Sequence, residues 1–255
     1  MQRRNFVRAA AAAGTAALAG QSLHAQSTTP PAAGKEIIEW RVYEMAWGGN
    51  QGMLTTYLNE SLAPALRRKG ATQYQLFREY GKTDPAKLHV MIAYPDAATY
   101  VACQSLGDDS VYAVAAEAYD AVPADRPIYD RFSSWLMDAF DGMPQAVATD
   151  ADAGLFELRV YQGYSEDATR RKIRMFNDHE IQIFKDTDLD AVFYGDMIAG
   201  PYRPCLVYLL QFDDMEERDA NWGKFGSHPE WTRIKDLPEF ANSVSNILRT
   251  FLVPA

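Results

Sequence analysis

Two short segments of this 255-residue sequence carry the same alternating set of ionisable residues, Glu39-Trp-Arg-Val-Tyr43 and Glu157-Leu-Arg-Val-Tyr161. Alternation of this kind belongs to a β-strand, whose successive side chains point to opposite faces. Glu39, Arg41 and Tyr43 therefore share one face, as do Glu157, Arg159 and Tyr161. Trp40 and Val42 share the other face, like Phe156, Leu158 and Val160 in the second segment. A Glu–Arg pair beside a tyrosine can hold a polar or anionic ligand through the guanidinium fork. It can equally close on itself, because a buried charge needs a partner and that partner can be internal. The residues alone leave both readings open.

The histidines offer less. His89 stands alone in a strand-like run, and His179-Glu180 has Ile183 where a zinc-protease helix would place its second histidine. His228 precedes Pro229 at a helix start, where it can act as a cap. No two histidines have metal-ligand spacing, and Cys103 and Cys205 are far apart, so no metal site is expected. No cofactor is expected either. Haem is the secondary reading, with His179 as a one-sided axial ligand because its counterpart earlier in the chain is Ser61. Trp222, Phe225 and Trp231 gather near His228, where they can wall an apolar pocket or anchor a helix. The sequence holds no Ser-His-Asp order, nucleotide loop or glycine fingerprint. The ligand-binding candidates are thus Glu39, Arg41, Tyr43, Glu157, Arg159, Tyr161, His179, His228 and Trp231. No residue is assigned a catalytic role, and whether the protein is an enzyme is left open.

The elements that position these residues repeat. The two strands are offset by 118 residues (157 less 39), and the same offset pairs Asn59 with Asn177, Leu88 with Leu206 and Asp96 with Asp214. Each copy reads as strand, helix, strand, strand, helix, strand, the order of a ferredoxin-like module. The first copy is expected over 36–142 and the second over 154–255, joined by a linker at 143–153 rich in Pro, Ala, Asp and Thr. A four-stranded sheet with both helices on one side leaves its other face bare, and two copies can bury those faces against each other. The expected architecture is α+β: two tandem modules packed sheet to sheet as a pseudo-dimeric barrel. In it the Glu–Arg–Tyr face is expected to line the interior, and the Trp40 and Phe156 face to pack on the helices.

The two first strands, the helix after each, and Gly226-Ser-His-Pro-Glu-Trp231 together resemble the NIPSNAP family. That family's domains start with a Glu-x-Arg-x-Tyr strand and carry a His/Asp-Pro-x-Trp element late. The second copy, Leu155 to Ala255, resembles the pattern throughout. The first follows it on its strand and helix but has Asp109-Ser-Val-Tyr112 late, so late-domain residues carry over to the second copy alone. The resemblance implies a dimeric α+β barrel fold. Members have been associated with vesicle transport and mitochondrial roles, and the family's activity is poorly defined.

The formal net charge is −9. The first 25 residues carry Arg3, Arg4 and Arg8 and no acid, so the remainder has three positive charges fewer, −12. Such a chain repels nucleic acid and anionic lipid. No apolar run reaches the roughly 18 residues of a membrane span, so stable membrane insertion is not expected. A small polar or anionic ligand is the expected partner, and a homo-oligomer is compatible with the pattern. Two function classes remain: a small-molecule binder or cofactor-independent enzyme using the space between the two sheets, and a non-catalytic structural or protein-interaction module with a filled barrel core.

The N-terminus reads as an export signal. Arg3-Arg4-Asn-Phe-Val precedes an alanine-rich, weakly hydrophobic stretch from Ala9 to Gly20, with Ala25 at a plausible cleavage point. Paired arginines with a weak apolar region select the twin-arginine route and a bacterial periplasmic or secreted destination. Residues 1–25 are the expected signal, and 26–35 a flexible tether with Pro30-Pro31. Replacing Arg3 and Arg4 together with lysine is expected to leave precursor in the cytoplasm. Fractionation of cells expressing that variant tests this, and undiminished periplasmic protein would refute it.

Overall fold

Strand and helix signals alternate along the chain as the sequence implies. The computed structural model describes residues 34–255; the expected signal at 1–25 and nearly all of the tether lie outside the described residues. The first half runs β1 (Ile37–Met45), α1, β2 (Gln73–Glu79), β3 (Lys87–Tyr94), α2 (Ala97–Cys103), α3 (Ser110–Asp120) and β4 (Tyr129–Ala139). The second runs β5 (Leu155–Gln162), α4, β6 (Ala191–Ala199), β7 (Cys205–Phe212), α5 (Met215–Ser227), α6 (Pro229–Ile234) and β8 (Asn246–Pro254). Helix α1 is continuous over Gln51–Thr56, a π-helical Tyr57–Leu62 and Ala63–Arg68; α4 repeats this over Glu166–Met175, π-helical Phe176–Glu180 and Ile181–Asp186. Polar side chains start the helices by accepting bonds from otherwise unpaired amides. Asn50 caps α1 and Ser165 caps α4, Asp214 caps α5, and His228 caps α6 as anticipated.

The eight strands close into one antiparallel barrel in the order β1-β3-β2-β8-β5-β7-β6-β4. Within each half the order is that of a ferredoxin-like sheet, and the halves meet edge to edge. At one seam Phe77, Arg78 and Glu79 pair with Pro254, Val253 and Leu252. At the other, Leu136 to Ala139 pair with Ala199, Met197, Asp196 and Gly195. Gly195 is needed there, because a Cβ on it would stand 2.6 Å from the Met137 Cβ. Cys103 and Cys205 are both free and buried, in different layers of the molecule.

The barrel interior is filled with apolar side chains from both halves. Ile38, Trp40 and Val42 meet Phe156, Leu158 and Val160 in one cluster with Met91, Met137, Val207, Leu209 and Leu252. Trp40 stacks on Phe77 at 5.6 Å between centroids, and Phe77 meets Phe156 edge-on at 4.8 Å. This corrects the assignment of faces. Glu39, Arg41, Tyr43, Glu157, Arg159 and Tyr161 do not line the interior; they face the helices outside the barrel. The physical reason is space and partners. An eight-stranded barrel is just wide enough for side chains to fill. The helical layer, by contrast, brings hydrogen-bonding groups of its own against the sheet. A ligand between the two sheets is excluded by the same packing.

His89 brings a titratable ring into the barrel. His89 accepts a hydrogen bond at Nδ1 from the Trp40 indole N–H, at 3.1 Å, and its Nε2 lies 3.5 Å from the Glu79 carboxylate. The neighbouring His89 holds the Glu79 carboxyl below its usual range.

Neither sheet is complete alone, since each leaves unpaired edges at β6 and β8 or at β2 and β4 together with one apolar face. A fragment spanning 154–255 is therefore expected to self-associate through those edges at micromolar concentration. Light scattering on the fragment checks this; a folded, soluble monomer would contradict the closed-barrel account.

Candidate functional site

In the first half the Glu–Arg pair is closed. The Arg41 Nε and Nη2 donate to the two Glu39 oxygens at 2.8 and 2.9 Å, and the Tyr94 hydroxyl donates to Glu39 at 2.8 Å. Ser134 donates to the same carboxylate. Burial alone would lower the Arg41 pKa, but the Glu39 hydrogen bonds and charge raise it well above the ordinary value. Tyr43 stacks on Phe132 at 4.9 Å. Both Glu39 oxygens and the Arg41 Nε and Nη2 are thus matched internally.

The second half uses the same residues differently. Glu157 is fully buried and is held by α5: Arg218 donates to both its oxygens, at 2.9 and 3.0 Å, and the Trp222 indole N–H donates at 2.9 Å. Arg159 is left over. Its nearest carboxylate oxygen, on Glu157, is 3.5 Å away, and its Nε is buried with no hydrogen-bond partner. The residue is only 8% exposed. Aromatic rings surround its guanidinium instead, with Trp222 at 4.2 Å, Tyr161 at 5.4 Å and Tyr208 at 6.0 Å from their centroids. Cation–π contact stabilises such a charge, though it leaves the N–H groups unsatisfied.

A second ion pair lies beside it. Lys172 on α4 reaches Glu180, at the end of the π-helical segment, with Nζ to Oε1 at 2.5 Å, and both side chains are buried. The same ammonium sits 5.8 Å from the Tyr161 ring and 5.4 Å from the Trp231 ring. Burial pushes the Glu180 carboxyl up, and Lys172 and Arg159 only partly oppose this. The Tyr208 hydroxyl donates to that of Tyr161 at 2.9 Å. Tyr161, Trp222 and Trp231 are partly exposed.

The structure thus brings Glu157, Arg159, Tyr161 and Trp231 together. It keeps His179 and His228 out. His179 Nδ1 lies 3.0 Å from the Glu230 carboxylate, and its ring meets Phe240 edge-on, so it ties α4 to α6. Glu230, shared with Arg233, has its carboxyl held down to about 2 by Arg233 first and His179 second. His228 caps α6 and has its other nitrogen 3.8 Å from Asp186. Among the described residues no group of three His, Cys, Asp or Glu side chains could hold a metal ion, and no helix is long and apolar enough to cross a membrane. Sequence reasoning missed Lys172, Glu180, Tyr208 and Arg218. For the first three the signal was present in the repeat: the residues 118 positions earlier are Leu54, Leu62 and Val90.

A NIPSNAP domain occupies residues 156–255. The half that matches this family is the one that holds Arg159 and its unbonded Nε. Solved structures similar over most of the chain include a candidate monooxygenase from Fusobacterium nucleatum, with 11% identity, a TM-score of 0.56 and coverage of 87% of this chain and 93% of that one. A candidate monooxygenase from Lactobacillus acidophilus gives 9% identity, a TM-score of 0.55, and 86% and 93% coverage. These likenesses show the fold, an α+β arrangement around a closed eight-stranded barrel. An uncharacterised NIPSNAP domain protein from Burkholderia xenovorans is 20% identical over 40% of this chain and 94% of its own, with a TM-score of 0.35. No curated protein matches the chain.

The two arginines should respond differently to mutation. Arg41→Met removes the cation paired with the buried Glu39 carboxylate, leaving it only the Tyr94 and Ser134 hydroxyls, and is expected to cost about 3–5 kcal/mol. Arg159→Met leaves Glu157 with both its other partners and is expected to change stability by about 1 kcal/mol or less, the scale of a cation–π contact. Urea unfolding of the two variants measures the contrast, and equal losses would show that Arg159 is a structural pair member after all.

Proposed function

We propose that the protein binds a small anionic molecule between the sheet and the helices of its second half, with Arg159 as the anchoring cation. The observation that carries this reading is the buried Arg159 Nε without a hydrogen-bond partner, on a guanidinium that only approaches Glu157 at 3.5 Å where Arg41 is bonded to both oxygens of Glu39. A buried guanidinium with an unsatisfied N–H and a single long ion pair is unfavourable unless a ligand supplies the missing bonds, and a carboxylate or phosphate fits its fork. Arg249 adds to the positive potential. It is exposed, lies on the same face and pairs directly across from Arg159 in the ladder. Like charges placed opposite each other are destabilising, and a bound anion relieves that. The partly exposed Trp222, Trp231 and Tyr161 give the ligand aromatic surfaces. The first half, closed on itself, serves this reading as scaffold. The expected export signal would place the activity in the bacterial periplasm or outside the cell.

Thermal unfolding against benzoate, phenyl phosphate and neutral benzyl alcohol tests the proposal. The two anions are expected to raise the melting temperature and benzyl alcohol to leave it unchanged. Arg159→Met should weaken anion binding about 10–100-fold, the loss of about 1.5–3 kcal/mol from charge-assisted hydrogen bonds. Arg218→Met provides a second test, because it frees Glu157 to close on Arg159 as Glu39 closes on Arg41. It too should abolish the shift. Equal stabilisation of the parent and Arg159→Met would end the anion-site reading.

A further inference from the structure

The two halves of the barrel differ most where they correspond most closely. Leu54 and Leu62 lie on α1, and Lys172 and Glu180 take the same places on α4. Leu62 ends one π-helical segment and Glu180 ends the other. In the ladders Arg41 pairs with Val90, and Arg159 pairs with Tyr208. An aliphatic Leu–Leu–Val set thus becomes Lys–Glu–Tyr in the half that holds Arg159. Leu54 and Leu62 are buried and well packed, which shows that this position can be filled by leucines. Replacing such a pair by two buried charges brings no gain in stability and often a loss. The ion pair therefore serves something other than packing.

Its neighbours show what that is. Tyr161 lies between the two cations, 5.4 Å from Arg159 and 5.8 Å from Lys172 at its ring centroid, and its hydroxyl is bonded to that of Tyr208. Carboxylate, ammonium and phenol groups stand together beside an anion anchor. We propose that this layer is a proton-transfer site for small 2-oxo acids, in which Arg159 holds the carboxylate and Glu180 takes a proton from the carbon next to the keto group. The inference rests on the anion-binding reading above.

The step balances without an oxidant or a cofactor. The C–H bond breaks, and its electron pair forms the enolate double bond as the carbonyl π pair moves onto oxygen. The proton passes to Glu180. The Tyr161 hydroxyl, hydrogen-bonded by Tyr208, donates to the enolate oxygen. Return of a proton from Glu180 to carbon restores the acid. Lys172 exchanges its own protons with solvent and with Glu180, so the carbon hydrogen is washed out in deuterated water. Burial, which raises the proton affinity of Glu180, favours it as the base.

The experiment follows the C3 hydrogens of 2-oxobutanoate and phenylpyruvate by proton NMR in deuterated water with the full-length protein. Benzoate, which has no such hydrogen, reports binding alone through thermal stabilisation. The parent is expected to speed exchange at least about 100-fold over buffer, the usual scale of general base catalysis. The double variant Lys172→Leu with Glu180→Leu restores the pair the first half already uses, so it is expected to fold. It should retain stabilisation by benzoate and lose the exchange. Four results overturn the proposal. One is binding of a 2-oxo acid by the parent without exchange, and another is exchange by the double variant at the parent rate. Stabilisation by benzoate with no binding of either 2-oxo acid ends the proposal and leaves the anion site standing. Absence of stabilisation by any of these anions ends both.

Discussion

Closing eight strands into a ring gives every sheet edge a hydrogen-bonding neighbour and leaves an interior that side chains alone can fill. That constraint decides where polar chemistry can occur. Trp40, Phe77, Phe156 and their neighbours occupy the space between the two sheets. The Glu–Arg–Tyr sets are left on the outer face, where helices cover them and supply partners. Which partners arrive then sets the character of each half. Around Glu39 they are Arg41, Tyr94 and Ser134, all from the sheet itself. Around Glu157 they are Arg218 and Trp222 from α5. One carboxylate cannot hold two arginines equally, and α5 takes Glu157 away from Arg159.

The repeat made much of the fold legible. An offset that runs unbroken through strand, helix and strand reports a duplicated unit, and the order of elements names the module. Which face of β1 and β5 looks inward was not legible. Side-chain alternation separates two faces, but when a strand is buried on both sides neither face is marked by solvent. The polar face was taken as the ligand-facing interior, whereas barrel width had already reserved the interior for apolar groups. Arg41 and Arg159 were singled out from the repeat motif, yet sequence could not tell them apart. Their difference lies in Arg218, which is 59 residues along the chain from Arg159 (218 less 159) and belongs to no shared motif. Lys172 and Glu180 went unread because a charged pair on a helix is ordinarily solvated. Only their leucine counterparts, Leu54 and Leu62, mark them as buried.

The first half therefore serves as an internal control for the second. It shows which side chains the architecture needs for packing, and each departure in the second half is a departure from sufficiency. Tyr194 and Tyr208 stand at the positions of Leu76 and Val90, and Phe176 and Phe184 at those of Leu58 and Leu66. The result is a continuous aromatic wall, with Phe176, Phe184, Tyr194 and Tyr208 rings 5.5 to 5.9 Å apart. Tyr208 is where this wall meets Arg159, whose aromatic surround is completed by Tyr161 and Trp222.

The chain between Ala139 and Leu155 carries a consequence of another kind. Two separate subunits meeting at such seams would be identical, so any site in one would have its twin in the other. They would also part on dilution. Joining the halves covalently removes both restrictions. Association becomes intramolecular, at a local concentration set by a short connection rather than by the amount of protein. Each half is then free to change without its partner changing in step. A ring whose two halves carry different side chains at matching positions is accessible only to a chain that has given up its symmetry.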